Sequence, residues 1–245
     1  MTTSSSGFKD AEKRFKAISD PEEAEKAVTF HQNDDHHDTF TINLRDRPCR
    51  VVPIPSREGA YVVCDALCRR IQVELIQHCV ADCLMPPNLT NLHAHSTEQE
   101  QAKFVNIWAN EKHHLDTLSE CCLKVPKSMS IMSRVRWVTL GYQYDWSERK
   151  YYPEAFVPFP SQLADLCKEL GQALGKNNTI DPQAAIVNFY PENAVMGGHV
   201  DDAEWTYDHP VFSISLGSPC VFLLGISHIP LTLTTLTALT PPFPN

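Results

Sequence analysis

Glycine is scarce, with nine in 245 residues, and positive charge is short as well, with 21 Lys and Arg against 30 Asp and Glu. The formal net charge of −9 excludes a protein that coats nucleic acid by bulk charge, though it leaves room for a local basic groove. The chain has no heptad pattern, no internal repeat and no Gly/Ser-rich linker, so coiled coils, solenoids and flexible tethers are set aside. Long apolar runs are missing too. The longest stretch without a charge, residues 210–245, is broken by prolines and threonines and makes a poor membrane span. Residues 1–35 are polar and acid-rich, and are expected to be neither a secretory signal nor a transit peptide.

What is present reads as globular. Hydrophobic residues make up 42% of the chain, enough to bury a core in one large domain or one domain with an appendage. Nine cysteines, an odd number, point to a reducing, intracellular compartment. Cys64, Cys68, Cys79 and Cys83 pair at i, i+4 within one apolar-striped segment. They suit either a zinc site or the buried face of a helix, and the loose spacing favours the helix face.

The spacing of Cys64, Leu67, Cys68, Ile71, Leu75, Cys79 and Cys83 predicts a helix over 61–83, ended by Pro86-Pro87. Residues 8–30 and 98–124 are expected to be helical, and 31–48 to be loop. Short extended segments are expected at 51–55, 134–142 and 184–190, and a hairpin at 211–216 and 220–224. Between them, Ser161 to Leu174 reads as a helix with Ser161 as its N-cap and Gly175 as its stop. Helices first and strands later predict an α+β chain with a β-core in its second half.

Two HxD triplets occur, His36-His37-Asp38 and His199-Val200-Asp201. One such triplet is close to a chance expectation. The second has context. On extended backbone, residues i and i+2 point to one side, so His199 and Asp201 would offer an imidazole and a carboxylate together. These are two members of the 2-His-1-carboxylate triad that binds ferrous iron. Gly197-Gly198 precedes them, and Asn188 and Tyr190 repeat the i, i+2 spacing on the strand before, suited to holding a small polar acid.

Taken together, the strings Asn188-Phe-Tyr190, Gly198-His199-Val-Asp201-Asp-Ala-Glu204, Pro210-Val-Phe-Ser-Ile-Ser-Leu-Gly217 and Phe222-Leu-Leu-Gly225 resemble the AlkB-type Fe(II)/2-oxoglutarate dioxygenases. Arg136-Trp-Val-Thr-Leu-Gly-Tyr-Gln-Tyr-Asp-Trp146 and Pro158-Phe-Pro-Ser161 are similar to the AlkB homologue 1 branch. The resemblance implies a double-stranded β-helix, or jelly-roll, with helices outside. It implies a dioxygenase domain over 51–225, preceded by an extension over 1–50 and followed by a divergent tail over 226–245. It also implies His199 and Asp201 as iron ligands, Asn188 and Tyr190 as 2-oxoglutarate contacts, and Trp108, Tyr142 and Tyr144 as substrate contacts. The implied cofactors are Fe(II) and 2-oxoglutarate. The implied activity is oxidative demethylation of methylated bases in DNA or RNA, tRNA included, without a membrane partner. The implied compartment is nucleus, cytoplasm or mitochondrion. Such chemistry takes a base out of its stack, and Tyr142, Tyr144 and Trp146 are available either to receive it or as partly buried strand aromatics. Between 124 and 150 lie Lys124, Lys127, Arg134, Arg136, Arg149 and Lys150 against Asp145 and Glu148.

The family pattern also calls for a later histidine and an arginine. Residues 226–245 offer His228 and no Lys, Arg, Asp or Glu, and the last arginine is Arg149. The expectation is therefore an incomplete site and an incomplete jelly-roll in this sequence. The alternative function is a catalytically impaired short form that binds nucleic acid or a partner.

Overall fold

A computed structural model describes residues 13, 38–54, 58–93, 97–102, 134–175, 180–191, 194–218 and 222–224. Most of the helical expectation over 8–30 and 98–124 lies outside these residues, as do Trp108, His36 and the tail beyond 224. The described residues fall into two compact units. One is drawn from Leu67–Ala194, the other from Met1–Ala66 together with Val195–Asn245.

The second of these units contains an antiparallel sheet of β1 (Phe40–Leu44), β2 (Arg47–Pro53) and β3 (Tyr61–Val63), in that order. Ile42 faces Cys49 across the β1–β2 ladder and both are buried, while Phe40, Thr41 and Asn43 are exposed. The expected loop over 31–48 is corrected here, because a hairpin occupies its second half. The turn is Arg45-Asp46, both at positive φ (49° and 61°), between the paired residues Leu44 and Arg47. Two left-handed residues in a two-residue loop match the twist of the strands, but the usual Asn-Gly signal is missing. Residues 194–218 carry neither helix nor strand. The expected strand at 211–216 is thus absent, and so is its hairpin among the described residues. A β-rich segment becomes a strand only when its N–H and C=O groups find a ladder partner.

In the Leu67–Ala194 unit, helix α1 runs over Arg69–Ala81, shorter than the expected 61–83. Tyr61–Val63 is already a strand, and Asp65 sits at positive φ (50°), which breaks any helix begun earlier. Cys64 and Cys68 therefore precede the helix and do not share a helical face with Cys79. Gln72 is buried and donates from Nε2 to the carbonyl of Leu67 at 2.8 Å, tying the first turn to the residue before the N-cap Cys68. At the other end the N–H groups of Asp82 and Cys83 both reach the His78 carbonyl. Val80, Cys83 and Leu84 then pack on Val135, Val138 and Leu140 to form the core, ringed by Phe159, Leu163, Ala185, Val187 and Phe189.

The sheet of this unit has the order β5–β4–β6, with β4 at Trp137–Asp145, β5 at Lys150–Phe156 and β6 at Ala184–Asn188. β6 pairs with Trp137 to Gly141 along one edge of β4. The other edge takes β5 over the second half of β4. Over the first half, the segment Leu89–Asn91 docks there. Thr90 bridges Val138, and the Asn91 side chain accepts from the Arg136 N–H at 2.7 Å and donates to the Arg134 carbonyl. Between Tyr142↔Phe156 and Tyr144↔Tyr151, β5 advances five residues against two on β4, so it bulges around Pro153, where a missing N–H costs no ladder bond.

Helix α2 spans Ser161–Ala173 and buries Leu166, Cys167 and Leu170. Its N-cap is Pro160 rather than the expected Ser161, because the Pro160 carbonyl already accepts the first helical bonds from Leu163 and Ala164. Gly175 at φ +70° follows its end, as expected. Burial pushes the Cys167 thiol up to about 11. No helix among the described residues is long and apolar enough to cross a membrane.

Gly141 is the glycine this sheet cannot replace. Its φ is +74°, and a Cβ there would run into the Gln183 carbonyl and the Phe159 ring. Gly141→Ala is expected to destabilise the protein by roughly 2–4 kcal/mol, combining a left-handed backbone with an overpacked contact. Urea unfolding of the two proteins checks this, and an unchanged midpoint would contradict it.

Candidate metal and substrate site

His199 and Asp201 lie in the unit that includes Val195–Asn245, in an exposed segment without ladder partners. The His199 ring is positioned by its own chain. Nδ1 stands 2.9 Å from the Gly197 carbonyl. A carbonyl only accepts, so Nδ1 carries the proton and Nε2 is left with its lone pair. Nε2 faces Asp201 Oδ1 at 3.6 Å. With a neutral ring, that gap separates two acceptors with no proton between them. It is shorter than two metal–ligand bonds of roughly 2.1 Å each, so one cation fits both donors. The residues present therefore fit a divalent metal as a two-donor set. The outward nitrogen is supported by a carbonyl on the other, the usual second bond of a ligating histidine. Among the described residues, no group of three or more His, Cys, Asp and Glu forms a fuller cage.

Asn188 and Tyr190 belong to the Leu67–Ala194 unit. Along 185–190 burial alternates. Ala185, Val187 and Phe189 pack on the core, while Ile186, Asn188 and Tyr190 are exposed. The amide and the phenol thus share the outer face of the β6 line. Trp137 lies directly opposite Asn188 in register, and cross-strand partners share a face.

Tyr142 and Tyr144 sit on β4, each against its register partner. Tyr142 meets Phe156 at 4.8 Å between ring centroids, and Tyr144 meets Tyr151 at 5.1 Å. Trp108 lies outside the described residues. Reading the sequence for chemistry passed over Trp137 and Tyr151, which join this aromatic set. The signal was partly available, since β4 and β5 are both rich in aromatics, but pairing them needs the register.

Between the two tyrosines, Gln143 is buried. Its Oε1 accepts from Thr139 Oγ1 at 2.5 Å and from the Leu89 N–H at 3.1 Å, and its Nε2 donates to the Gly141 carbonyl at 2.9 Å. Sequence alone gave no sign that this polar residue is internal. The Cys79 and Cys83 thiols hydrogen-bond each other. The bond from Cys83 pulls Cys79 down, and the same bond together with burial pushes Cys83 up.

Residues 85–237 match the profile of the 2OG-Fe(II) oxygenase superfamily, and the chain belongs to that superfamily. The match begins inside the expected 51–225 domain and runs past Gly225. Among curated proteins, the chain is 36% identical over 153 residues to the nucleic acid dioxygenase ALKBH1 of Mus musculus, covering 61% of this chain and 38% of that protein. It is 30% identical over 191 residues to the DNA N(6)-methyladenine demethylase ALKBH1A of Arabidopsis thaliana, covering 70% and 55%. It is 27% identical over 227 residues to the tRNA demethylase abh1 of Schizosaccharomyces pombe, covering 89% and 73%. The resemblance to the AlkB homologue 1 branch is therefore met by the relatives themselves. The chain spans less than two fifths of the length of the mouse protein.

Divalent metal is expected to bind the full chain through His199 and Asp201. Titration with Co(II), followed by its visible absorption, should show binding weakened at least tenfold by either His199→Ala or Asp201→Ala, the scale on which lost support costs affinity. Equal binding by all three proteins would remove the metal assignment.

Proposed function

We propose that this protein is an AlkB-like dioxygenase that removes methyl groups from bases of DNA or RNA, using Fe(II) and 2-oxoglutarate. The observation that carries the reading is the His199–Asp201 pair at 3.6 Å, with the His199 tautomer set by the Gly197 carbonyl, inside the segment that matches the oxygenase superfamily. The substrate class is supported by relatives whose names give nucleic acid, DNA N(6)-methyladenine and tRNA as what they act on. The proposed domain organisation stays 1–50, 51–225 and 226–245, with a jelly-roll as the architecture of the middle part.

The roles follow from the donor chemistry. His199 Nε2 and an Asp201 oxygen hold the metal. The Gly197 carbonyl selects the tautomer of neutral His199 that carries its proton on Nδ1, which leaves the Nε2 lone pair for the metal. Asn188 and Tyr190 offer an amide and a phenol to 2-oxoglutarate, the phenol donating to a carboxylate. Tyr142 and Tyr144 receive the base, with Trp108 as a further aromatic. Rings receive an unstacked base well, because each supplies a flat apolar face. When bound, ferrous iron and 2-oxoglutarate supply the oxidation of an N-methyl group by dioxygen, and the carbon leaves as formaldehyde.

Succinate release from the full chain with Fe(II), ascorbate and a methylated oligonucleotide tests the reading. Release that depends on the oligonucleotide and is lost in His199→Ala is the expected outcome. Tyr142→Ala is expected to lower turnover of the oligonucleotide by about tenfold, the scale of one lost stacking contact. Release that continues unchanged in His199→Ala would exclude this site as its source.

A further inference from the structure

We propose that Gln143 is a positioning residue for substrate: without touching nucleic acid, its carboxamide fixes the placement of Tyr142 and Tyr144 and thereby sets how tightly nucleic acid binds. This rests on the reading above, in which those two tyrosines receive the base.

Gln143 falls in a gap between the two ladders of β4. Pairing with β6 ends at Gly141↔Ala184. Pairing with β5 passes from Tyr142↔Phe156 to Tyr144↔Tyr151, and the shift in register leaves Gln143 without a ladder partner among the described residues. Gly141, at φ +74°, adds a second irregularity just before it. On the β6 side the Tyr142 N–H reaches the Gln183 carbonyl at 2.9 Å, which holds one tyrosine and not the other.

The carboxamide fills this gap with a complete set of bonds. Its oxygen accepts from Thr139 Oγ1 at 2.5 Å and from the Leu89 N–H at 3.1 Å. Its nitrogen donates to the carbonyls of Gly141 at 2.9 Å and Thr139 at 3.4 Å. Both acceptor sites and both protons of the amide are thus in use. The partners also fix its direction. Reversed, its NH2 would meet the Leu89 N–H, and its oxygen would meet two carbonyls. None of these partners is charged or titrates. Gln143 is buried while Tyr142 and Tyr144 on either side are half-buried, so the amide points inward and the two rings point outward. A binding group must be held within about 0.5 Å of its productive position by neighbours that are themselves locked. Gln143 is the locked neighbour of both rings.

The test is equilibrium binding of a labelled, methylated single-stranded oligonucleotide to the full chain, followed by fluorescence anisotropy from about pH 6 to about pH 9. The informative variant is Gln143→Glu. A glutamic acid keeps the shape of the amide and accepts from Thr139 Oγ1 and Leu89, but it needs a proton on the oxygen that faces the Gly141 and Thr139 carbonyls. Burial and those carbonyls disfavour its ionised form and raise its pKa. Relative to the parent at the same pH, Gln143→Glu is expected to bind equally well at the acid end and roughly tenfold more weakly at the alkaline end. Gln143→Leu has no proton to lose and is expected to be weakened by about that factor throughout. In a Tyr142→Ala/Tyr144→Ala background neither variant is expected to weaken binding further, because effects that pass through one shared group are not additive. Melting curves identify any variant that does not fold. Gln143→Glu decides the matter even if Gln143→Leu is one of these, since its protonated form keeps the contacts to Leu89, Thr139 Oγ1 and Gly141. Gln143→Glu binding that tracks the parent at every pH would overturn the proposal and leave the nucleic-acid reading standing. A loss of binding that is the same at every pH, or that persists undiminished in the double-alanine background, would mark Gln143 as merely structural and overturn it too. Absence of oligonucleotide binding by the parent would overturn the nucleic-acid reading, and the proposal with it.

Discussion

The Gln143 carboxamide sits where water is excluded and joins three parts of its unit. Its oxygen takes the Thr139 hydroxyl and the Leu89 N–H, and its nitrogen reaches the Gly141 carbonyl. A buried amide left unpaired costs about 1–3 kcal/mol, so the segments that satisfy it are held as a set. Leu89–Asn91 must lie along the first half of β4, and the left-handed turn at Gly141 must aim its carbonyl inward. The step from the β6-paired half of β4 to the β5-paired half occurs at this point. Tyr142 and Tyr144, on either side of Gln143, inherit their positions from it.

That constraint gives the sheet two unlike faces. On one, Val138, Leu140 and Val187 close on α1 and the turn after it, and the apolar burial there supplies the stability. On the other, Trp137, opposite Asn188, begins a run of rings that continues through Trp146 and Tyr144 to Tyr151. Aromatic cross-strand pairs stabilise a two-stranded ribbon by a fraction of a kcal/mol to about 1 kcal/mol each. That explains how the β4–β5 hairpin keeps its shape around a bulge. It does not by itself account for the exposure of Trp146.

The His199–Asp201 pair obeys a different logic. No ladder holds it. Its geometry comes from a contact two residues back, the Gly197 carbonyl, and from the i, i+2 spacing. A local motif of this kind survives in a segment without secondary structure, which is why a short sequence string can signal it. It also means that the pair supplies two donors and depends on other parts of the protein for any more. Membership in the 2OG-Fe(II) oxygenase superfamily gives the pair its chemical context.

How much was legible in the sequence follows from the range of each interaction. Period, charge and motif are short-range, and they gave the α2 segment, the strand expected over 184–190 and found at Ala184–Asn188, the alternation that puts Asn188 and Tyr190 on one face, and the superfamily. The start of α1 was misread because the apolar spacing of Tyr61–Cys68 suits a helix, while pairing with β2 draws 61–63 into a sheet. The β1–β2 hairpin was missed because Arg45-Asp46 takes a conformation usually marked by Asn-Gly. The segment at 211–216 has the composition of a strand, but composition does not supply a ladder partner. The sequence by itself determined the i, i+2 spacing of His199 and Asp201 and the superfamily, since both are carried by strings of neighbouring residues. Only the tertiary structure decided that Gln143 is internal, that Gly141 cannot be replaced, and that Trp137, Trp146, Tyr144 and Tyr151 form one surface. Those facts depend on register and on hydrogen bonds across as many as 54 residues of chain, which no local pattern encodes.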